Sequence, residues 1–236
     1  MKIEVLYKVF YGFYTTQALL LICLMLLRPA FVERDERIEA YIKDHRKELK
    51  KFFCNTCGVS KIMRSFHCMY CNKCVAKWQY HSYWFNRCID ARNLFTYWLY
   101  LTVCFLLNLI SIGSCFYYNH IRTKEMIKPF LYIVLLLIQL ITLGKELYSL
   151  TKLIAENLTY MEDLNWHKVT YMWESKSGHF FNPFDLGTCN NFKQAIKSTF
   201  SCKKATNTYE LIELNSTRIG SFFSLSCRRS KRNVRH

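Results

Sequence analysis

Glycine and acidic residues are both scarce in this chain. Only 7 of its 236 residues are glycine, and they form no Gly-rich loop of the kind that binds phosphate. No arrangement of serine, histidine and aspartate typical of hydrolases is recognisable. Aspartate and glutamate number 17 against 33 lysines and arginines, so the formal net charge is +16. The sequence therefore indicates neither a phosphate-loop enzyme nor a serine hydrolase, and the positive excess needs another explanation.

Three long apolar runs identify the class of protein. Residues 9–27 and 94–119 contain no charged residue, and residues 129–150 are interrupted only by Lys145 and Glu146. A helix needs about 20 apolar residues to cross a bilayer, and a lysine near its end can extend to the interface. The first run exceeds the roughly 7–15 residues of a signal-peptide core. The sequence thus predicts a mainly α-helical multi-pass membrane protein with three transmembrane helices.

Basic residues beside these runs predict the orientation and explain the charge. Two lysines precede the first run, whereas eight lysines and arginines follow it between residues 28 and 51. Because cytoplasmic loops carry the basic excess, the amino terminus is predicted to lie outside, and residues 28–93 and 151–236 in the cytosol. Basic residues in such places meet lipid headgroups. A lipid bilayer, and no nucleic acid, is therefore the predicted partner.

Six of the 12 cysteines are concentrated in residues 54–88. Disulfides are rare in the cytosol, so metal binding is the better interpretation of this cluster. With two histidines the candidate ligands are Cys54, Cys57, His67, Cys68, Cys71, Cys74, His81 and Cys88. They suffice for two tetrahedral zinc sites with three sulfurs and one nitrogen each, although spacing alone also allows an iron–sulfur cluster. Metal binding would supply much of the folding free energy of so small a segment.

The order of these residues resembles the DHHC cysteine-rich domain, which defines the membrane-bound protein S-palmitoyltransferases. The resemblance includes the stretch 64–68, which reads Arg-Ser-Phe-His-Cys, and continues through Trp84, Asn86 and Asn93. Residues 159–162 resemble the family's T-T-x-E motif, because Thr159 and Glu162 are kept while Tyr160 replaces the second threonine. The stretch NPFDLGTCNN resembles a carboxy-terminal family motif, and its matching residues are Asn182, Pro183, Asp185, Gly187 and Asn191.

The resemblance implies two interleaved structural zinc sites. The ligands of the first are Cys54, Cys57, His67 and Cys74. The ligands of the second are Cys68, Cys71, His81 and Cys88. The resemblance also implies palmitoyl-CoA as a substrate or ligand, protein substrates with an acceptor cysteine, and a location in the Golgi or endoplasmic reticulum.

The motif that names the family is altered in this chain. Its Asp-His-His-Cys sequence aligns with Gln79, Tyr80, His81 and Ser82. In the family, the cysteine is the nucleophile that takes the acyl chain, the first histidine is its general base, and the aspartate orients that base. The second histidine binds zinc. The resemblance therefore implies that the zinc ligand His81 is kept, while the positions of nucleophile, base and base orienter are all changed.

These changes predict a membrane scaffold whose transferase activity is lost or greatly weakened. A serine hydroxyl reacts only beside a well-placed base, and a tyrosine phenol ordinarily has a pKa of about 10. An oxygen ester at Ser82 would also be more stable than a thioester, so passing the chain on to a cysteine would be uphill. Two alternatives stay open: an active transferase that uses Ser82 or another residue such as Cys189, and an adaptor that forms heteromers with an active transferase.

The predicted organisation has six parts. They are an amino-terminal span (1–29), an amphipathic cytosolic linker (30–53), a DHHC-like zinc-binding domain (54–93), a transmembrane hairpin (94–150), a cytosolic region with the two further motifs (151–200) and a basic tail (201–236). In the linker, apolar residues recur at helical spacing; they are Ile38, Tyr41, Ile42, Leu49 and Phe52. The family usually has two spans before its cysteine-rich domain, whereas one is predicted here, so we expect either that the family's first span is absent or that the sequence is truncated at its amino terminus.

Overall fold

A computed structural model describes residues 3–33, 53–61, 64–122, 127–166, 172–174 and 180–200. The helices are α1 (Ile3–Leu26), α2 (Leu94–Arg122), α3 (Ile127–Ala155), α4 (Tyr160–Asn165) and α5 (Thr188–Phe200). The strands are β1 (Phe53–Cys54), β2 (Val59–Ser60), β3 (Phe66–Cys68), β4 (Lys73–Val75), β5 (Tyr80–Ser82), β6 (Arg87–Ile89), β7 (Trp173–Glu174) and β8 (Phe180–Phe181). The predicted linker helix at 34–52 and the basic tail at 201–236 lie outside the described residues.

The chain divides into two compact units, and the first contains residues Met1–Arg28 and Asn93–Ile154. Two of its helices are long and apolar enough to cross a membrane, over Leu94–Tyr117 and Phe130–Ala155. They are consistent with the predicted integral membrane protein. The apolar part of α1 that the structure describes, Tyr11–Leu26, is shorter than such a span requires. The third transmembrane helix and the orientation of the chain stay predictions.

Polar contacts join the helices of the first unit. Gln17 on α1 donates a hydrogen bond from Nε2 to Cys104 Sγ on α2, at 3.3 Å. Between α2 and α3, the Tyr97 hydroxyl donates to Glu146 Oε1 at 2.7 Å. Trp98 Nε1 donates to Thr151 Oγ1 at 2.9 Å. Satisfied polar pairs of this kind stabilise helix association where lipid supplies no other partner.

The second unit contains residues Pro29–Arg92 and Ala155–His236. Its first part is a series of three antiparallel hairpins, β1–β2, β3–β4 and β5–β6. The first strands of successive hairpins end 14 residues apart, at Cys54, Cys68 and Ser82. The last turn residue has positive φ in every case, with values of 65° at Gly58, 49° at Asn72 and 46° at Asn86. Glycine and asparagine tolerate this left-handed conformation best, so the turn chemistry repeats with the hairpins.

The segment after α1 adds an edge to the second hairpin. Phe31 forms a β-bridge with Val75, and Val32 N donates to Cys74 O at 2.8 Å. The buried carboxylate of Asp90 accepts a hydrogen bond from Ala30 N at 2.8 Å. It also accepts from Arg92 N at 2.8 Å. One side chain therefore joins the two ends of the segment that holds the hairpins.

The later part of the second unit packs on the hairpins through α4. Thr159 is the N-cap of α4 and forms a reciprocal capping box with Glu162. Arg64, which precedes β3, reaches the same glutamate with two hydrogen bonds of 2.7 Å, from Nε and from Nη2. The two side chains are only 8% and 3% exposed. This buried bidentate pair links residues that are far apart in the sequence.

We predict that Arg64→Ala destabilises the folded protein by about 3–5 kcal/mol, because it leaves the carboxylate of Glu162 buried and without its cation. The measurement is thermal unfolding of the purified, detergent-solubilised chain. Lys193→Ala removes an exposed cation on α5 and serves as the matched control. The double variant Arg64→Met/Glu162→Gln carries no buried charge and is expected to lose less than Arg64→Ala. An Arg64→Ala protein as stable as the control contradicts the burial of this pair.

Candidate functional site

The first cluster of candidate ligands contains Cys54, Cys57, His67 and Cys74, whose ligand atoms all lie within 4.8 Å of one another. His67 Nδ1 is 3.5 Å from Cys54 Sγ and 3.1 Å from Cys57 Sγ. It is 3.9 Å from Cys74 Sγ. The imidazole nitrogen thus faces three thiols at once.

The second cluster contains Cys68, Cys71, His81 and Cys88 and has the same construction. His81 Nδ1 is 3.6 Å from Cys68 Sγ and 3.4 Å from Cys71 Sγ. It is 3.8 Å from Cys88 Sγ, and the sulfurs of Cys71 and Cys88 are 3.5 Å apart. Both groups contain the residues that the resemblance implied for the two metal sites.

These distances fit the edges of a zinc tetrahedron. Bonds of about 2.3 Å to sulfur and about 2.1 Å to nitrogen place neighbouring ligand atoms about 3.6 Å apart. Burial also raises the pKa of the Cys74 and Cys88 thiols, and the neighbouring thiols raise it further. A dication would lower these pKa values by binding the thiolate forms. The donor set and its geometry therefore suit two metal ions, with zinc the natural occupant of three sulfurs and one nitrogen.

The two clusters interleave because strand β3 serves both. Neighbouring residues on a strand point to opposite faces, so His67 faces the first cluster and Cys68 the second. Each imidazole also lies opposite a cysteine of its own cluster in the register of its hairpin: His67 pairs with Cys74, and His81 pairs with Cys88. All eight ligands follow the same offset, since each member of the first cluster recurs 14 residues later in the second.

The repeat continues to Ser82 but the metal-binding pattern does not. Ser82 occupies the position in the third hairpin that Cys54 and Cys68 occupy in the first two, and Phe85 occupies that of Cys57 and Cys71. The third turn therefore has no pair of thiols. Ser82 itself is buried.

Strand β5 separates the metal ligand from the residues aligned with the reacting groups. His81 points to the second cluster, so Tyr80 and Ser82 lie on the opposite face of the strand. Across the hairpin, Ser82 is paired with Arg87. A guanidinium is permanently protonated and cannot accept a proton. The strand thus gives the Ser82 hydroxyl a phenol and a guanidinium as neighbours on its face, and neither is a suitable general base.

Gln79 and Tyr80 are tied to the segment that contains the T-T-x-E-like motif. Gln79 is fully buried. Its Oε1 accepts a hydrogen bond from Tyr160 N at 2.8 Å, and its Nε2 donates to Leu158 O at 3.4 Å. The ring of Tyr80 packs edge-on against that of Tyr160, with centroids 6.2 Å apart. Two positions that depart from the family pattern, 80 and 160, are therefore in contact.

The residues of the carboxy-terminal motif form a hydrogen-bonded cap around the end of α3. Asn182 donates to Glu156 O and Asn191 to Ala155 O, both at 2.6 Å. Asn191 also donates to Asp185 Oδ1 at 2.7 Å, and that oxygen accepts from Gly187 N at 2.8 Å. Carbonyls at a helix end have no partner within the helix, and these amides supply one. Pro183 lies in the turn between Asn182 and the rest of the motif.

Asn157 connects this cap to the hairpins, a role that no pattern in the sequence indicated. Its backbone has φ of 50°. Its Nδ2 donates to Phe184 O and to Gln194 Oε1, both at 2.7 Å. Its Oδ1 accepts from Lys77 Nζ at 2.7 Å, and its carbonyl oxygen accepts from Arg64 Nη2 at 2.8 Å.

The ammonium group of Lys77 is held next to the buried pair of Arg64 and Glu162. Burial, and to a smaller extent the charge of Arg64, lower the pKa of Lys77 to about 7, while the charge of Glu162 opposes both effects. Lys77 and Arg64 attach the hairpins to residues 157–162, and this contact holds Gln79 and Tyr80 in place.

A comparison with known families agrees with this geometry. The DHHC palmitoyltransferase model matches residues 47–167, just over half of the chain. The chain belongs to the DHHC palmitoyltransferase family. A search of the curated proteins finds no match.

The matched region contains both DHHC metal clusters and α2, together with Thr159 and Glu162. Domains of the DHHC family act at a lipid bilayer on an acyl-CoA. The carboxy-terminal motif at 182–191 lies beyond the matched region, and the cap that it forms is seen only in the structure. Cys189, the alternative nucleophile considered from the sequence, is exposed at the start of α5.

We predict that the purified protein holds two zinc ions per chain, measured by plasma mass spectrometry. Cys88→Ser removes a ligand that belongs only to the second cluster, so the content should fall to about one. Cys189→Ser changes an exposed thiol outside both clusters and should keep two. Iron with the visible absorption of an iron–sulfur cluster, or an undiminished zinc content in Cys88→Ser, contradicts the assignment.

We predict that the stability of Lys77→Met, compared with that of the wild type, is more favourable at pH 7 than at pH 9. A lysine ordinarily has a pKa of about 10.4, so between pH 7 and that value the unfolded wild-type chain binds more protons than the folded chain. Wild-type stability should therefore rise with pH across this range, and Lys77→Met should lack that contribution. Thermal unfolding at pH 7, 8 and 9 measures the difference. Lys73→Met, at an exposed lysine, should keep the wild-type slope; equal slopes in all three proteins contradict the prediction.

Proposed function

We propose that this chain is a membrane-bound scaffold of the DHHC family whose transferase activity is lost or greatly weakened. It keeps the zinc-binding domain and binds acyl-CoA, lipid or a protein partner. The observation that supports this is the contrast within strand β5. The ligand His81 and both four-residue clusters are complete, whereas the opposite face presents Tyr80 and Ser82 where transfer requires a base and a thiol.

The chemistry of the two half-reactions favours this proposal. In transfer through a thiol, the nucleophilic sulfur bonds to the acyl carbon, the bond to the sulfur of CoA breaks, and CoA leaves with a proton. Ser82 would form an oxygen ester in the same step. The second step would then exchange an oxygen ester for a less stable thioester on a substrate cysteine, so the acyl group would tend to stay on the enzyme. Loss of a nucleophile or base alone commonly costs several orders of magnitude in rate.

The contacts of Gln79 and Tyr80 make the loss difficult to reverse by a single substitution. Tyr160 fills the space beside Tyr80, and its backbone N–H donates the hydrogen bond that fixes Gln79. A histidine at position 80 would face the ring of Tyr160. Because positions 80 and 160 both depart from the family pattern, we expect a histidine at position 80 to act as a base only beside the family's threonine at position 160.

In this proposal the protein carries two structural zinc ions and palmitoyl-CoA is its ligand. Its cysteine-rich domain and carboxy terminus face the cytosol, its amino terminus lies outside, and it resides in the Golgi or endoplasmic reticulum. The basic residues that flank the apolar runs support this orientation.

We predict that the wild-type chain, purified in detergent, neither takes up labelled palmitate from palmitoyl-CoA nor passes it to a cysteine peptide. Ser82→Cys should acylate itself slowly, with a rate that rises between pH 7 and 9, because no base ionises its thiol. Ser82→Cys/Tyr80→His should be faster only when Tyr160→Thr is also present. The background Cys189→Ser removes an exposed thiol from the three variants but not from the wild type, and zinc content checks that each of the four proteins is folded.

Treatment with neutral hydroxylamine identifies the bond that carries any label. A hydroxylamine-resistant label that is lost in Ser82→Ala would be an oxygen ester, which means that acylation survives and only transfer is blocked. Transfer by the wild-type chain at the rate of the triple variant would refute the proposal. So would transfer that disappears in Cys189→Ser, since that residue would then be the nucleophile.

A further inference from the structure

The turns of the second and third hairpins expose four large side chains. Met69 and Tyr70 lie in the β3–β4 turn, and Tyr83 and Trp84 lie in the β5–β6 turn. Their exposed fractions are 83%, 64%, 70% and 92%. They occupy the same two positions of the 14-residue repeat, so the two hairpins present them side by side. We call these four residues the aromatic tip.

Contacts with the second metal cluster hold the two tyrosines of the aromatic tip in place. The hydroxyls of Tyr83 and Tyr70 form a hydrogen bond, and their rings meet edge-on with centroids 5.1 Å apart. Both rings also contact the imidazole of His81. The centroid distance is 4.9 Å for Tyr70 and 5.7 Å for Tyr83. Because His81 is a candidate ligand, metal binding would fix the imidazole against which Tyr70 and Tyr83 pack. Exposed aromatic side chains that are held rigidly lose little conformational entropy on binding.

The hairpins that carry the aromatic tip are basic. Residues 53–89 contain no aspartate or glutamate, and their cations are Lys61, Arg64, Lys73, Lys77 and Arg87. Three thiolates with one Zn²⁺ leave a charge of −1 at each cluster. Arg64 is paired with Glu162, and burial lowers the pKa of Lys77 to about 7, so the remaining cations are Lys61, Lys73 and Arg87. With both clusters loaded, the formal charge of these hairpins therefore stays positive, at about +1. Such a surface attracts an anionic one.

The chain itself keeps the aromatic tip near a membrane. α2 begins at Leu94, ten residues after Trp84, and is long and apolar enough to span a bilayer. A fully extended chain covers only about 3.3 Å per residue, so Trp84 lies within roughly 33 Å of the first residue of that helix. A bilayer surface is consequently available to the tip at all times, whereas a protein partner would have to be recruited.

We propose that the aromatic tip inserts into the headgroup region of an anionic bilayer leaflet. Tryptophan and tyrosine combine an apolar ring with a polar edge, and they are enriched at this depth in membrane proteins. Methionine adds apolar surface, and the basic hairpins pair with anionic headgroups. The tip thus fixes the zinc-binding hairpins against the membrane through contacts that do not depend on chemistry at Ser82.

The test measures the depth of Trp84 in the full chain reconstituted into vesicles. The fluorescence of Trp84 is obtained as the difference between the wild type and Trp84→Phe. We expect lipids brominated near the headgroup to quench this difference signal at least twofold more than lipids brominated near the bilayer centre. Aqueous iodide should quench it weakly. The matched control is the difference signal of Trp166, from Trp166→Phe, which follows α4 and should respond little to either brominated lipid.

Two variants keep the test decisive. Zinc content verifies that Trp84→Phe is folded, and Trp84→Tyr replaces it if zinc is lost. Strong quenching of Trp84 by iodide with none by brominated lipid would overturn the proposal. Protection from both quenchers, together with photo-crosslinking from position 84 to a protein that co-purifies, would overturn it in favour of a protein contact.

Vesicle composition tests the role of charge. Quenching by the shallow brominated lipid should increase when anionic lipid is raised from none to about a third of the total. This increase should shrink in Lys61→Gln/Lys73→Gln, which removes two cations of the hairpins and no candidate metal ligand. Equal quenching in neutral and anionic vesicles would overturn the anionic part of the proposal.

Discussion

The alternation of side chains along strands β3 and β5 is the constraint on which the second unit depends. Hairpins with strands of two or three residues cannot stay folded alone. Here His67 and Cys68, on opposite faces of one strand, reach different clusters, so each metal ion would join two neighbouring hairpins and both ions would share β3. The 14-residue repeat is a consequence of this construction, because the first and second hairpins offer a pair of cysteines at the same places, and the second and third offer a histidine and a cysteine at the same places.

Under the proposed function, the same alternation accounts for a loss of catalysis that leaves the fold intact. On β5, His81 faces the second cluster, and Tyr80 and Ser82 face the other side. A change at Tyr80 or Ser82 leaves the tetrahedra untouched. The candidate metal ligand and the two positions aligned with reacting groups therefore lie on different faces of one three-residue strand. Substitutions at Tyr80 and Ser82 need not disturb the ligand position of His81.

Much of this arrangement could be predicted from the sequence because it is local. The C-x2-C spacings indicated the metal ligands, and uncharged runs indicated α2 and α3. The pattern of Thr159 and Glu162 is that of a capping box, which the structure contains. The pair of Arg64 and Glu162 could not be predicted, since contacts between distant residues leave no local pattern. The helical state of residues 34–52 and the first transmembrane span remain predictions.

Gln79 shows why the altered centre is more than a missing nucleophile. Its amide accepts from Tyr160 N and donates to Leu158 O, and both groups belong to the backbone. An ionised aspartate can only accept hydrogen bonds, so it would leave the Leu158 carbonyl without this donor and place a negative charge beside it. A glutamine at this position satisfies both groups but cannot stabilise a protonated base at position 80. The residue at position 79 thus binds residues 158–160, and under the proposed function an aspartate at this position would also require a rearrangement of that segment.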